Sequence, residues 1–101
     1  MTFYTLHPKE IEDVRKQKNA IVIDLRERED YKKFHYKNAM NMPYCDNERW
    51  LSWFRVGQTY ILYCDYGNVS LLAARRLAQR SVTVYTVVGG AKGLSRYFFN
   101  D

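Results

Sequence analysis

The stretch "YCDYGNVS", from Tyr63 to Ser70, places a cysteine at a junction between two kinds of chain. Ahead of Cys64 lies "TYIL", an apolar run with strand composition. Behind it lies "LLAARRLAQR", which reads as a helix. A loop leading into a helix N-terminus gathers unpaired main-chain N–H groups, and the helix dipole adds partial positive charge. Both stabilise a thiolate over a thiol, which is what a sulfur nucleophile needs. Gly67 permits a backbone turn closed to other residues, and Asn68 can cap the helix or take a left-handed conformation. These features describe a cradle whose amides point at a sulfur anion or a bound oxyanion. The competing reading is a buried, inert cysteine at a strand end, since free cysteine is among the most buried residue types.

The elements that must hold this loop follow from periodicity. "FYTL" (Phe3–Leu6) predicts a short strand. "HPKEIEDVRKQ" predicts a helix with Pro8 at its first position and an apolar stripe starting at Ile11 and Val14. "NAIVIDL" is a β-branched run suited to a strand buried on both faces. "REREDYKKFHYK" predicts a short charged helix, and "NAMNMP" an extended segment stopped by Pro43. "NERWLSWF" carries Trp50, Leu51, Trp53 and Phe54 at helical spacing, with Gly57 to end the helix. "TYILYC" is the next buried strand. The helix after it has Val69, Leu72, Ala73 and Leu77 on one face, broadened by Leu71, Ala74 and Ala78. "VTVYTVV" is a further strand, and "GGAKGLSRYFF" a turn leading into a short helix. This alternation predicts an α/β fold: a mostly parallel five-stranded sheet with helices on both faces, in three layers. Ligands of such sheets bind beyond the carboxyl ends of the strands. Asp24 with Arg26, Cys64, and Gly89 with Gly90 each follow such an end, so they should line one edge of the molecule.

Bulk properties bound the rest. The 101 residues fit one domain, residues 1–101, and 47% hydrophobic content supplies a core without staples. Two cysteines, Cys45 and Cys64, are too few for a disulfide scaffold. The N-terminus has no signal-peptide pattern, and no apolar run reaches the length of a membrane span. A reducing, cytoplasmic setting without membrane contact is the expectation. Lys and Arg outnumber Asp and Glu by 16 to 11, which favours anionic partners. The basic residues are dispersed and form no dense block, so nucleic acid is not expected as a partner.

The chain resembles the single-domain rhodaneses, a sulfurtransferase family, over nearly its whole length. "VIDLREREDYKKFHYKNAMNMP" (Val22–Pro43) is similar to the family stretch around D-x-R and a later His. Asp24, Arg26, Tyr31, His35, Ala39, Asn41 and Pro43 match. "CDYGNVS" looks like the family's active-site loop, C-x-x-G-x-x-S, with Cys64, Gly67, Asn68 and Ser70 in register. "VYTVVGGAKGL" resembles the last strand and its Gly-Gly turn. Phe34 and Asn38 replace two glycines of the family pattern, Leu94 stands where an aromatic is common, and Val69 where Arg often sits.

The resemblance implies a mechanism. Cys64 takes a sulfane sulfur from a small anionic donor, thiosulfate or a persulfide. The loop amides of Asp65, Tyr66, Gly67, Asn68 and Val69 stabilise the anion. The sulfur then passes to a thiol, cyanide or a protein acceptor. No metal or organic cofactor is implied. The family's matching His is mainly structural, which assigns that role to His35 in preference to general-base work. Asp24, Arg26 and Ser70 are expected in structural or secondary roles. Cys45 is read as a bystander, and Trp50, Trp53 and Phe54 as core. Arg49, Arg55, Lys92 and Arg96 are read as ordinary surface charge. The alternative is a non-catalytic binding or regulatory module, motivated by Asp65 and Val69. Phosphatase chemistry in the related dual-specificity phosphatases requires Arg six positions after the cysteine, where this chain has Ser70.

Overall fold

The computed structural model describes residues 2–98. Five strands are present: β1 (Tyr4–Leu6), β2 (Ile21–Asp24), β3 (Ala39–Asn41), β4 (Thr59–Tyr63) and β5 (Thr83–Val87). They form one sheet in the order β1-β5-β4-β2-β3, and every neighbouring pair is parallel. The helices are α1 (Ile11–Lys18), α2 (Arg28–Lys33), α3 (Glu48–Leu51), α4 (Asn68–Ala78) and α5 (Gly90–Phe98). This is the expected parallel five-stranded sheet with helices on both faces.

Alternation along the strands divides the core. Ile23 of β2, Leu62 of β4 and Val84 of β5 point to the face covered by α4 and the α3 region, with Leu77, Ala73 and Ala74 against them. Val22, Ile61 and Val87 point to the other face, with Ile11 of α1 and Leu94 of α5. Both central strands are thus buried on two sides, which is why they read as unbroken apolar runs. Chain order reverses between β2 and β4: β2 leads outward to β3, and β4 outward to β5. Helices α2 and α4 consequently lie on opposite faces of the sheet. Cys64 sits at this reversal, one residue beyond β4.

Three details differ from expectation. Pro8 opens a 3-10 turn, Pro8–Glu10, in place of an α-helical turn. The His7 side chain and Glu10 cap it reciprocally (Lys9 N to His7 Nδ1 3.1 Å, His7 N to Glu10 Oε1 2.8 Å). Helix α3 stops at Leu51, short of the predicted span through Phe54, and Trp53 is half-exposed. Its ring meets Phe54 edge-on, at 5.2 Å between centroids, an aromatic contact that needs no helix. On α4 the buried residues are Ser70, Ala73, Ala74, Leu77 and Ala78, while Leu71 and Leu72 are exposed. Small side chains let the helix approach the sheet closely, and that stripe excludes the two leucines. As expected, a turn at Val88–Gly89 leads into α5, which begins at Gly90. None of the described helices is long and apolar enough to cross a membrane.

Candidate active site

Cys64 leaves β4 at the carboxyl edge and turns back over its own loop. Gly67, at φ +108°, makes the turn, a conformation that L side chains rarely adopt. The chain then enters α4 with Gly67 as N-cap and Asn68 as the first helical residue. Two main-chain N–H groups converge on the Cys64 sulfur, those of Gly67 and Ser70, each 3.2 Å from Sγ. The Asn68 carboxamide oxygen lies 4.0 Å from Sγ. Among the described residues these are the groups that reach the sulfur. Of the five amides expected to face it, Gly67's does, and Ser70, expected in a supporting role, supplies the second donor. Hydrogen bonds to an anionic acceptor contribute about 1.5–3 kcal/mol each. At the head of α4 two such donors are already aimed at the Cys64 sulfur.

The loop is held from behind. The first N–H groups of α5 bind its carbonyls: Ala91 N donates to Cys64 O at 2.6 Å, and Lys92 N to Asp65 O at 3.0 Å. These two bonds tie the start of the loop to the first turn of α5. Gly90 makes this approach possible, because a Cβ there would lie 2.5 Å from Cys64 O. A second tie comes from β5. The Ser70 hydroxyl bonds Gly67 O at 3.1 Å and Thr86 Oγ1 at 2.6 Å. Nothing in the sequence flagged Thr86, whose one available signal is a hydroxyl inside the valine-rich run "VTVYTVV".

Cys64 is 3% exposed, so a reactant must enter a narrow opening to reach it. On the β5 side of the loop an apolar groove of about 350 Å³ is lined by Gly67, Asn68, Leu71, Thr86 and Val88, among others. On the α5 side a charged cleft of about 260 Å³ includes Arg26, Lys33, Asp65 and Lys92. Asp65 is exposed and belongs to that cleft, and Tyr66 is exposed at the loop tip under the Lys92 ammonium. Val69 is half-buried against the core that contains Cys64.

The other sequence candidates take structural places. Asp24 and Arg26 are both buried and paired: Arg26 Nη2 lies 2.8 Å from Asp24 Oδ2, and Arg26 N 2.9 Å from Oδ1. Arg26 also donates to Phe34 O at 2.5 Å and packs between the rings of Phe34 and Tyr63. Burial opposes its charge, but the hydrogen bonds and charge of Asp24 outweigh that and hold the guanidinium above its ordinary value. Burial, with the Asp24 charge behind it, pushes the Tyr63 phenol far up, so it stays neutral. Its oxygen accepts from Tyr36 N at 3.0 Å. Thus Asp24, Arg26 and Tyr63 tie the segment after α2 to the strand that carries Cys64. His35 stacks on Tyr31 at 3.7 Å and donates from Nδ1 to Tyr31 O at 2.7 Å. Its partners lie within α2 and its exit. Cys45 is exposed and its sulfur accepts from Asn47 Nδ2 at 2.8 Å.

Comparison with known proteins bears on this arrangement. A tRNA sulfurtransferase of Thermoplasma acidophilum is 38% identical over 68 residues, covering 67% of this chain and 14% of that protein. One from Pyrobaculum aerophilum is 30% identical over 80 residues, 79% of this chain and 16% of that protein. The chain therefore spans a small fraction of the length of these relatives. A rhodanese-related protein of Thermoplasma volcanium shares the fold end to end, with TM-score 0.82, 22% identity and coverage of 94% and 93%. Bacillus anthracis CoADR-RHD matches with TM-score 0.82 and 26% identity, over 92% of this chain and 16% of that one. A family model, the rhodanese-like domain, covers residues 7–96, which takes in the whole of β2 to β5 and the Cys64 loop between them. On that span of sequence and that sheet order, the chain belongs to the rhodanese-like domain family.

Proposed function

We propose that this protein is a sulfurtransferase that carries sulfur as a persulfide on Cys64. The observation that carries the reading is the pair of amides, Gly67 and Ser70, each 3.2 Å from the sulfur. With thiosulfate, the Cys64 thiolate attacks the outer sulfur. The new S–S bond forms as the old one breaks, and sulfite leaves with the electron pair. The product is a Cys64 persulfide anion, whose charge the same amides stabilise without reorganising. An acceptor thiolate then attacks the outer sulfur, Cys64 leaves as thiolate, and the acceptor becomes the persulfide. Sulfur is transferred and no net redox change occurs, so no further co-reactant enters. Cyanide or a protein cysteine can replace the thiol.

The similarity to tRNA sulfurtransferases supports sulfur carriage in general. Their name makes a tRNA one destination of the sulfur they handle. In this chain the first acceptor is assigned as a thiol. A persulfide donor can replace thiosulfate, and its carrier thiolate then leaves in place of sulfite.

Intact mass measurement after incubation with thiosulfate, and separately with a small-molecule persulfide, tests the reading. One added sulfur is expected on the wild type and none on Cys64→Ser. Failure of both donors to load Cys64 would overturn it. The 3% exposure of Cys64 favours a second reading, a non-catalytic binding module, and that outcome would support it.

A further inference from the structure

The buried hydroxyl of Thr86 has no part in the sulfur chemistry described above, yet it lies one residue contact away from it. Thr86 is 2% exposed and stands on the α4 face of β5, two residues after Val84, on an otherwise apolar surface. A hydroxyl there is unfavourable unless it is paired. Its partner is the Ser70 hydroxyl, 2.6 Å away and itself fully buried. Each hydroxyl has one proton to give. Ser70 Oγ donates to Gly67 O at 3.1 Å, so Thr86 donates to Ser70 Oγ. The direction is fixed: Thr86 to Ser70 to Gly67. The two residues at the receiving end are the two whose amides meet the Cys64 sulfur.

We propose that Thr86 is a positioning residue for sulfur transfer: through Ser70 it locks the Gly67–Ser70 turn and so keeps both amide donors aimed at Cys64. This rests on the sulfurtransferase reading. The lock matters when charge on the sulfur changes, because a free turn would relax toward the water that enters with the reactant. Preorganised donors make no such movement. A network held at both ends also rigidifies beyond its separate bonds. Thr86→Val removes the donor while keeping shape and strand preference, and it leaves Ser70 with a lost partner in a dry site. Thr86→Ser keeps the donor.

The test compares wild type, Thr86→Val, Thr86→Ser and, as a control on the same strand and face, Val84→Ala. Initial rates of sulfur loading on Cys64 are followed by intact mass across thiosulfate concentrations, beside the melting temperature of each protein. Thr86→Val should lose about tenfold in maximal rate, corresponding to about 1.4 kcal/mol, with little change in the half-saturating concentration. Thr86→Ser should stay within about threefold of wild type, and Val84→Ala should melt lower yet load normally. Wild-type loading by Thr86→Val, or equal loss in Val84→Ala, overturns the proposal. Should Thr86→Val fail to fold, Ser70→Ala cuts the same relay and is expected to show the same loss; normal loading there overturns it. If the wild type accepts no sulfur, the sulfurtransferase reading has failed separately. The relay is then read by iodoacetamide alkylation of the folded protein, with exposed Cys45 as internal reference. The ratio of Cys64 to Cys45 modification should fall in Thr86→Val and return in Thr86→Ser, and an unchanged ratio overturns the proposal.

Discussion

The main-chain N–H of Ala91 lies 2.6 Å from the carbonyl oxygen of Cys64, so the residue proposed to carry the sulfur is bonded directly to the first turn of α5. Gly90 lets the two backbones come this close. In Gly90→Ala the new Cβ would stand 2.5 Å from Cys64 O and 2.7 Å from Asp65 O, and backbone must shift. Gly89→Ala meets a similar left-handed strain, at φ +79°, but its Cβ would face Gly93 Cα at 3.3 Å. Both should lose about 1–3 kcal/mol of stability. Sulfur loading of the folded protein should drop at least tenfold, or about 1.4 kcal/mol, in Gly90→Ala alone. Urea titration and intact mass measure the two effects.

Asp24→Asn should damage the fold more than the chemistry. It leaves the Arg26 guanidinium buried with its countercharge gone, a change that costs about 3–5 kcal/mol where a buried pair is broken. The urea midpoint should fall accordingly. The fraction that remains folded should load sulfur at the wild-type rate, since no atom of Asp24 is bonded to the Cys64 loop. Loss of loading at unchanged stability would place Asp24 in the reaction instead.

His35→Phe should be a stability variant. The phenyl ring preserves the stack on Tyr31 and loses the bond from Nδ1 to Tyr31 O. One such bond contributes about 0.5–1.5 kcal/mol, so the melting temperature should fall by a few degrees. Thiosulfate loading and its pH dependence should not move. A changed pH profile would show that the imidazole exchanges protons during transfer.

A small part of the acid and alkaline dependence of stability should trace to the cluster of Glu12, Arg15 and Tyr36. The hydrogen bond from Arg15, joined by one from Tyr36, holds the Glu12 carboxyl down to about 2, from its usual 4.5. A depressed carboxyl contributes stability that is whole above pH 4.5 and lost as pH falls toward 2. Glu12→Gln should flatten that part of the acid limb. The effect will be small, about 0–1 kcal/mol, because the group is half-exposed and screened. Tyr36 behaves oppositely. Burial first, then Glu12, raises its phenol from 10.0 to about 12, so its contribution is whole below pH 10 and lost as pH rises through 12. Tyr36→Phe should remove this part of the alkaline limb, read as urea midpoints across pH.

Some of this molecule was legible in the sequence, for identifiable reasons. Strands β2 and β4 announced themselves because burial on both faces demands unbroken apolar runs. Cys64 and Gly67 were readable because a strand–glycine–helix junction has few backbone solutions. Leu72 misled because hydrophobicity marks what can be buried, whereas the approach of α4 to the sheet is set by the small residues Ser70, Ala73 and Ala74. Trp53 misled in the same way: its spacing fits a helix, but its ring finds Phe54 from a turn. The hold of α5 on the loop was invisible, because the atoms involved are main-chain and every residue has them. Thr86 was hidden by its own suitability, since threonine in a strand ordinarily needs no further reason.

The placement of β1 carries a consequence for biosynthesis. Its neighbour in the sheet is β5, so residues 4–6 wait for residues 83–87 before they find a partner. The grip on Cys64 waits slightly longer, for residues 90–92. Synthesis from the N-terminus therefore lays down the Cys64 loop before the helix whose N–H groups hold its carbonyls, and the loop gains that support with the last of the described helices.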